Sequence, residues 1–164
     1  MTRLQLIFVL IFLFVDTGCV SVGLKPKAPT RSESYKYSAP PLPFEEMDSS
    51  GADISWQNPK SGNTIAIISE CSEMKDPALS DLENDAAQAF SAAKVVQTTK
   101  ETFSDREALR SQIQGTVDGI AVKMDILTFK KNSCNYSVTF MGRLRLFDLD
   151  HSAFEQFLKG FSVP

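Results

Sequence analysis

One histidine, one tryptophan and three cysteines are all that this chain of 164 residues offers of the residue types that most often carry chemistry. It contains no glycine-rich phosphate loop, no HExxH helix and no paired cysteine–histidine set. Those gaps remove the backbone cradle that holds phosphates, the two-histidine metal helix and the activated thiol from the functions open to it. A net charge of −3 with 23% charged residues lacks the dense basic field that a phosphate backbone requires, so no nucleic-acid partner is expected. Long apolar runs are missing too. Crossing a bilayer takes about 20 apolar residues, whereas the longest such stretch, Leu4 to Val15 with Gln5 as its one polar residue, stops at Asp16.

What that stretch does provide is an address. Arg3, the apolar core and the small residues Thr17 and Gly18 before Cys19 have the layout of an export signal. Thr17-Gly18-Cys19 resembles the end of a bacterial lipobox, with Asp16 where that pattern has an apolar residue; the resemblance implies cleavage before Cys19 and its lipidation. Cleavage by ordinary signal peptidase near Ser21 and Gly23, or retention of the segment as an uncleaved anchor, are the alternatives. By resemblance to enteric lipoproteins, Val20 after the cysteine implies the outer rather than the inner membrane, facing the periplasm.

With residues 1–18 removed, about 146 residues remain, enough for one domain with a proper core. Cys71 and Cys134 are then left as a pair in an oxidising compartment, and a disulfide between them is expected. No second cysteine or histidine at ligand spacing accompanies either, so no metal or cofactor is expected. Residues 19–51 carry Pro26, Pro29, Pro40, Pro41 and Pro43 among serines and read as a flexible tether with a mean span of roughly 30 Å. Tyr35, Tyr37, Leu42 and Phe44 are surplus to a spacer, which leaves docking of this piece on the domain or a partner as the alternative.

The folded domain is expected over 52–164. Ile54 to Trp56 and the β-branched run Thr64 to Ser69 flank the turn-rich Asn58 to Asn63 and read as a hairpin. Asp76-Pro77 is a helix entry, and Leu79, Leu82, Ala86, Phe90 and Ala93 recur on one face of a helix over about 77–92. The period then changes to two. Strands follow at 95–103 and 108–117, with Asp118-Gly119 as a hairpin turn before a strand from Ile120 to Leu127. Lys130 to Ser133 turns the chain into the clearest strand, in which Cys134, Tyr136, Val138 and Phe140 share one face. Ser152 to Glu155 has a capping-box pattern ahead of Phe157, Leu158 and Phe161, a closing helix. The fold class is therefore α+β: an antiparallel sheet of about six strands, one helix after strand two and a C-terminal helix.

This order of elements resembles the PsbP-like domains, in which a comparable terminal helix closes the fold. The Trp56 strand, the Thr64–Cys71 strand, the Asp76–Leu82 helix start, Lys130-Lys131 before Cys134-Asn135-Tyr136 and the Phe154–Phe161 helix also resemble a family of small, uncharacterised envelope lipoproteins of predatory and delta-type bacteria. Neither resemblance implies a catalytic centre. His151, beside Asp148, Asp150 and Ser152, is read as part of a solvated helix entry, because neighbours so close in sequence cannot form a relay. Trp56 is expected in the core or at its rim, Lys130 and Lys131 at a solvated hairpin tip, and Gln97 to Thr102 at a polar sheet edge open to strand addition. The expectation is a non-catalytic, membrane-anchored lipoprotein binding another envelope component. The alternative is a carrier of a small apolar ligand between sheet and helices. A deep cavity lined by Phe90, Phe140, Phe154 or Phe157 marks the carrier, and a filled core with an exposed apolar patch marks the protein partner.

Overall fold

The computed structural model describes residues 30–72 and 76–164. The signal segment 1–18, Cys19 and the first third of the expected tether lie outside the described residues.

Seven antiparallel strands form one sheet: β1 (Glu45–Met47), β2 (Ile54–Gln57), β3 (Thr64–Cys71), β4 (Ser91–Phe103), β5 (Arg106–Val117), β6 (Ile120–Lys131) and β7 (Cys134–Arg143), with α1 (Leu79–Gln88) after β3 and α2 (Phe147–Gly160) after β7. Their order across the sheet is β1-β2-β3-β7-β6-β5-β4. The chain leaves β3, crosses one face as α1, enters at the far edge as β4 and meanders back until β7 closes on β3. Each hairpin of that meander turns on residues with positive φ: Ser104-Asp105, Asp118-Gly119 and Asn132-Ser133. Such turns match the twist of the strands they join.

The α+β class stands, with seven strands rather than six, and the extra one comes from the segment expected to be a tether. Residues 30–51 lie on the sheet. Thr30 pairs with Cys71, and Lys36 exchanges both backbone hydrogen bonds with Ser162. Ser32 is buried, bonded to the Tyr136 hydroxyl at 2.7 Å and to the Ser69 hydroxyl through its own backbone N–H. Tyr35 packs on Phe161, Tyr37 on Trp56, and Phe44 is 5% exposed. The docking alternative thus describes this piece: its aromatic groups gain more from burial on the sheet than the proline-rich chain loses in freedom. Tyr37 keeps 41% of its surface exposed, and Leu42 stays in water at 88%.

Three helix boundaries differ from expectation. Ala78 rather than Asp76 caps α1, its N–H donating to the Asp81 carboxylate, because the Asp76 carboxylate is taken by Lys130. Phe90 and Ala93 fall beyond the helix end, since the chain must already be extended at Ser91 to pair with Thr116. The closing helix starts at Phe147, placing Ser152 inside it rather than at its cap. Phe147 packs on Phe140, so an apolar face that reads 147, 154, 157, 158 carries the helix one and a half turns earlier.

One face of the sheet is a filled core. Ile65, Ile67, Leu127, Phe129, Tyr136, Val138 and Phe140 lie beneath Phe147, Phe154, Phe157 and Phe161, with Trp56 3% exposed against Phe157. Cys71 and Cys134 are directly paired residues of β3 and β7 and are joined as a disulfide.

Candidate functional site

The single histidine sits in α2 rather than in a solvated entry turn, and it meets residues from three other places in the sequence. His151 Nε2 lies 2.7 Å from Asp125 Oδ2 on β6 and 3.8 Å from Glu155 one turn on. Arg110 on β5 donates to both Asp125 oxygens, Nε to Oδ1 at 3.0 Å and Nη2 to Oδ2 at 2.9 Å, and its Nη1 and Nη2 also donate to Glu155. The Asp125 side chain is fully buried. Sequence reasoning missed this convergence because Asp125 looks like one polar residue on an alternating strand.

Asp125, His151 and Glu155 bring three potential ligand atoms within 4.8 Å of one another, a count compatible with a cation. The cation already there is Arg110. Burial would lower its affinity for its proton, yet hydrogen bonds and attraction from Asp125 and Glu155 outweigh burial and raise it above the ordinary arginine value. A divalent ion would have to sit beside a permanent guanidinium charge. Arg110 stacks over Phe154 as well, 5.6 Å from the ring centre, which fixes the cluster beneath α2 as a clasp between helix and sheet. Asp148 does not join it, and Asp150 serves elsewhere, accepting from Asn58, Ser61 and Asn63.

Lys130 and Lys131 do not form a solvated tip. Lys130 bonds Asp76 and the Pro77 carbonyl, and Lys131 bonds the carbonyls of Ser104 and Val163, so the exposed turn is Asn132-Ser133. The edge strand β4 is exposed from Ser91 to Lys100, as expected for most of Gln97 to Thr102, but register shifts interrupt its pairing between Ser91 and Lys94 and between Val95 and Gln97. Bulges and lysines of this kind blunt an edge.

The open feature lies on the opposite face of the sheet. There α1 touches β4, β5 and β6, and a small cluster of Phe90, Ile113, Val122, Met124 and Ile126 fills the space under it. The β3–β7 half is left bare. Its facing rows are read directly from the register: Thr64 with Met141 and Met124, Ala66 with Thr139 and Ile126, Ile68 with Ser137, Glu70 with Asn135. The central side chains are short, and α1 turns Ala86 and Ala89 toward them, so nothing fills the gap. The result is an apolar groove of about 540 Å³, walled by Leu82, Asp85 and Ala86 on one side and by residues 47–55 on the other. Phe140, Phe154 and Phe157 are packed in the opposite core and take no part in it. An alternation of small and hydroxyl residues along β3 and β7 reads in sequence as a solvated strand face, which is why the groove was not foreseen there.

With that geometry in hand, the fold can be placed. No protein-family model matches the chain, and no curated protein matches it. Solved structures do. The fold is similar to that of LpqN, described as involved in cell envelope biogenesis of Mycobacterium tuberculosis, with a TM-score of 0.60 and 10% identity over 85% of this chain and 88% of that one. It is also similar to cyanobacterial PsbP (CyanoP) from Synechocystis sp. PCC 6803, with a TM-score of 0.56 and 12% identity over 87% and 96% of the two chains. The domain has a PsbP-like fold. At such identities the likeness extends to the fold alone.

Proposed function

We propose that this chain is a non-catalytic module of the bacterial cell envelope, anchored through a lipidated Cys19 on the outer membrane and facing the periplasm, whose domain binds another envelope component. The observation that carries this reading is the contrast between the two sheet faces: a filled aromatic core under α2 and an apolar groove left open beside α1. The cluster of Asp125, His151 and Glu155 is internally paired around Arg110, which supports a structural rather than a catalytic part for it among the described residues. The signal-like residues 1–19 support export, the Cys71–Cys134 disulfide fits an oxidising compartment, and the fold is shared with a protein named for envelope biogenesis.

Radiolabelled palmitate should enter the wild-type protein and not Cys19→Ala, which should leave the membrane fraction; unchanged fractionation refutes the anchor. A photo-crosslinking residue at Ile68, in the groove, should capture one envelope protein that the same residue at Leu42 does not.

A second reading has its own support. The groove volume falls within the ~300–1,000 Å³ typical of small-molecule sites, so carriage of a small apolar ligand fits the same face.

A further inference from the structure

The charges around the groove select among apolar occupants. Two carboxylates line it, Glu70 at the end of β3 and Asp85 on α1, and no residue among the described lining is basic. Neither acid has an ion pair or side-chain hydrogen bond among the described residues. Their neighbours differ: Asp76 is held by Lys130, and Glu83 by Thr98 and Ser111. Lys130 would be the natural cation for this rim, since it lies in the same cross-strand row as Asn135 and Glu70. It is committed instead to Asp76 and the Pro77 carbonyl. Ser137 and Thr139 add hydroxyls to the floor that have no partner among the described residues.

An apolar trough with unpaired negative charge at its rim has a definite complement. We infer that the groove is a binding site for a cationic amphiphile, its apolar body against Ala66, Ile68 and Ile126 and its positive head at Glu70 and Asp85. This rests on the reading of the groove as a binding surface. Fatty acids and anionic phospholipids are selected against, because their head groups would meet two carboxylates and, among the described lining residues, no cation. The volume of about 540 Å³ accommodates one small amphiphile.

Calorimetric titration of the purified protein, below each micelle concentration, compares dodecyltrimethylammonium with dodecanoate. The cation should bind saturably at one site and at least tenfold more tightly. Ala66→Trp, which fills the trough from a half-exposed position, should abolish that site while far-ultraviolet circular dichroism stays unchanged. Glu70→Lys combined with Asp85→Lys should reverse the order of the two ligands. Should Ala66→Trp disturb folding, Ser137→Trp provides the same block from β7. Equal binding of dodecanoate by the wild type, or retention of the site when both blocking variants fold, overturns the proposal. If neither amphiphile binds while a crosslinker at Ile68 still captures an envelope protein, the ligand class is wrong and the groove reading survives.

Discussion

The Asn63 side-chain amide donates to Asp150 Oδ2 at 2.7 Å and to the Leu146 carbonyl at 2.8 Å, tying the β2–β3 turn to the start of α2. Asn58 and Ser61 of the same turn also donate to Asp150, so one carboxylate gathers three side chains. Asn63 is completely buried, and the neighbour that makes room for it is Gly142: a Cβ there would lie 1.8 Å from Asn63 Oδ1. Asn63 cannot swing aside without giving up Asp150 and Leu146.

Gly142→Ala is therefore expected to destabilise the fold by about 2–4 kcal/mol, combining overpacking with a broken buried hydrogen-bond set. Asn63→Ser should cost less alone, and the double variant should cost less than the sum of the two because the clash is gone. Urea denaturation of the three variants measures this. Strict additivity would mean that Gly142 matters for another reason.

The segment before the sheet gives a second test. Phe44, 5% exposed, belongs to the main core cluster although the proline-rich stretch around it reads as a spacer. Phe44→Ala should lower stability by about 3–5 kcal/mol, as expected for a buried phenylalanine. Leu42→Ala, two residues earlier at 88% exposure, should leave it within about 0.5 kcal/mol. Equal and small effects would return the segment to the role of a tether.

How legible this fold is from its sequence varies with the kind of signal. Alternation announced β7 and assigned Cys134, Tyr136, Val138 and Phe140 to one face, since that strand has one side on the core and its period of two is undiluted, whereas β6 is buried on both faces from Met124 to Phe129. Asp118-Gly119 announced its hairpin through backbone tolerance alone. The docked segment 30–51 was harder, because single aromatic residues among prolines have no period, and only tertiary contacts such as Ser32 with Tyr136 reveal them. Convergence of Arg110, Asp125, His151 and Glu155 was invisible for a related reason: strand pairing brings Arg110 and Asp125 together from 15 positions apart. The groove exists through the absence of bulk, which no motif records.

Breaking the buried cluster has a predictable sign. Arg110→Met leaves Asp125, fully buried, without its cation, and removal of one partner from such a pair costs about 3–5 kcal/mol. The double variant Arg110→Met with Asp125→Leu should recover most of that loss, because no buried charge is left uncompensated and Glu155 is solvated. Thermal unfolding of single and double variants decides the matter. If the double variant is as unstable as Arg110→Met, the cluster has a role beyond charge neutralisation.

The disulfide closes a loop of 63 residues between β3 and β7. In the loop-entropy description such a closure contributes about 4 kcal/mol, so Cys71→Ser with Cys134→Ser should shift the denaturation midpoint strongly while keeping the strand pairing intact. Non-reducing peptide mapping should recover the two cysteines in one linked fragment. Free thiols at both positions would remove the covalent link between the central strands.

Alkaline pH offers a readout of the docked segment that needs no truncation. Tyr35 is pushed up to about 12 from its ordinary value of 10.0, chiefly by burial, with the charges of Asp53, Tyr37 and Tyr136 adding to the shift and Arg31 opposing it. The folded state thus holds the phenolic proton more tightly than the unfolded chain. The stability this confers is complete below pH 10 and is lost as pH rises through about 12, because the unfolded chain releases the proton first. Tyr35→Phe removes the titration, so urea midpoints taken from pH 9 to pH 11.5 should fall less steeply for the variant than for the wild type. Lysines titrate over the same range in both proteins, and the difference between the two slopes isolates Tyr35. Parallel slopes would mean that Tyr35 is as accessible to water in the fold as in the unfolded chain, contrary to its packing against Phe161.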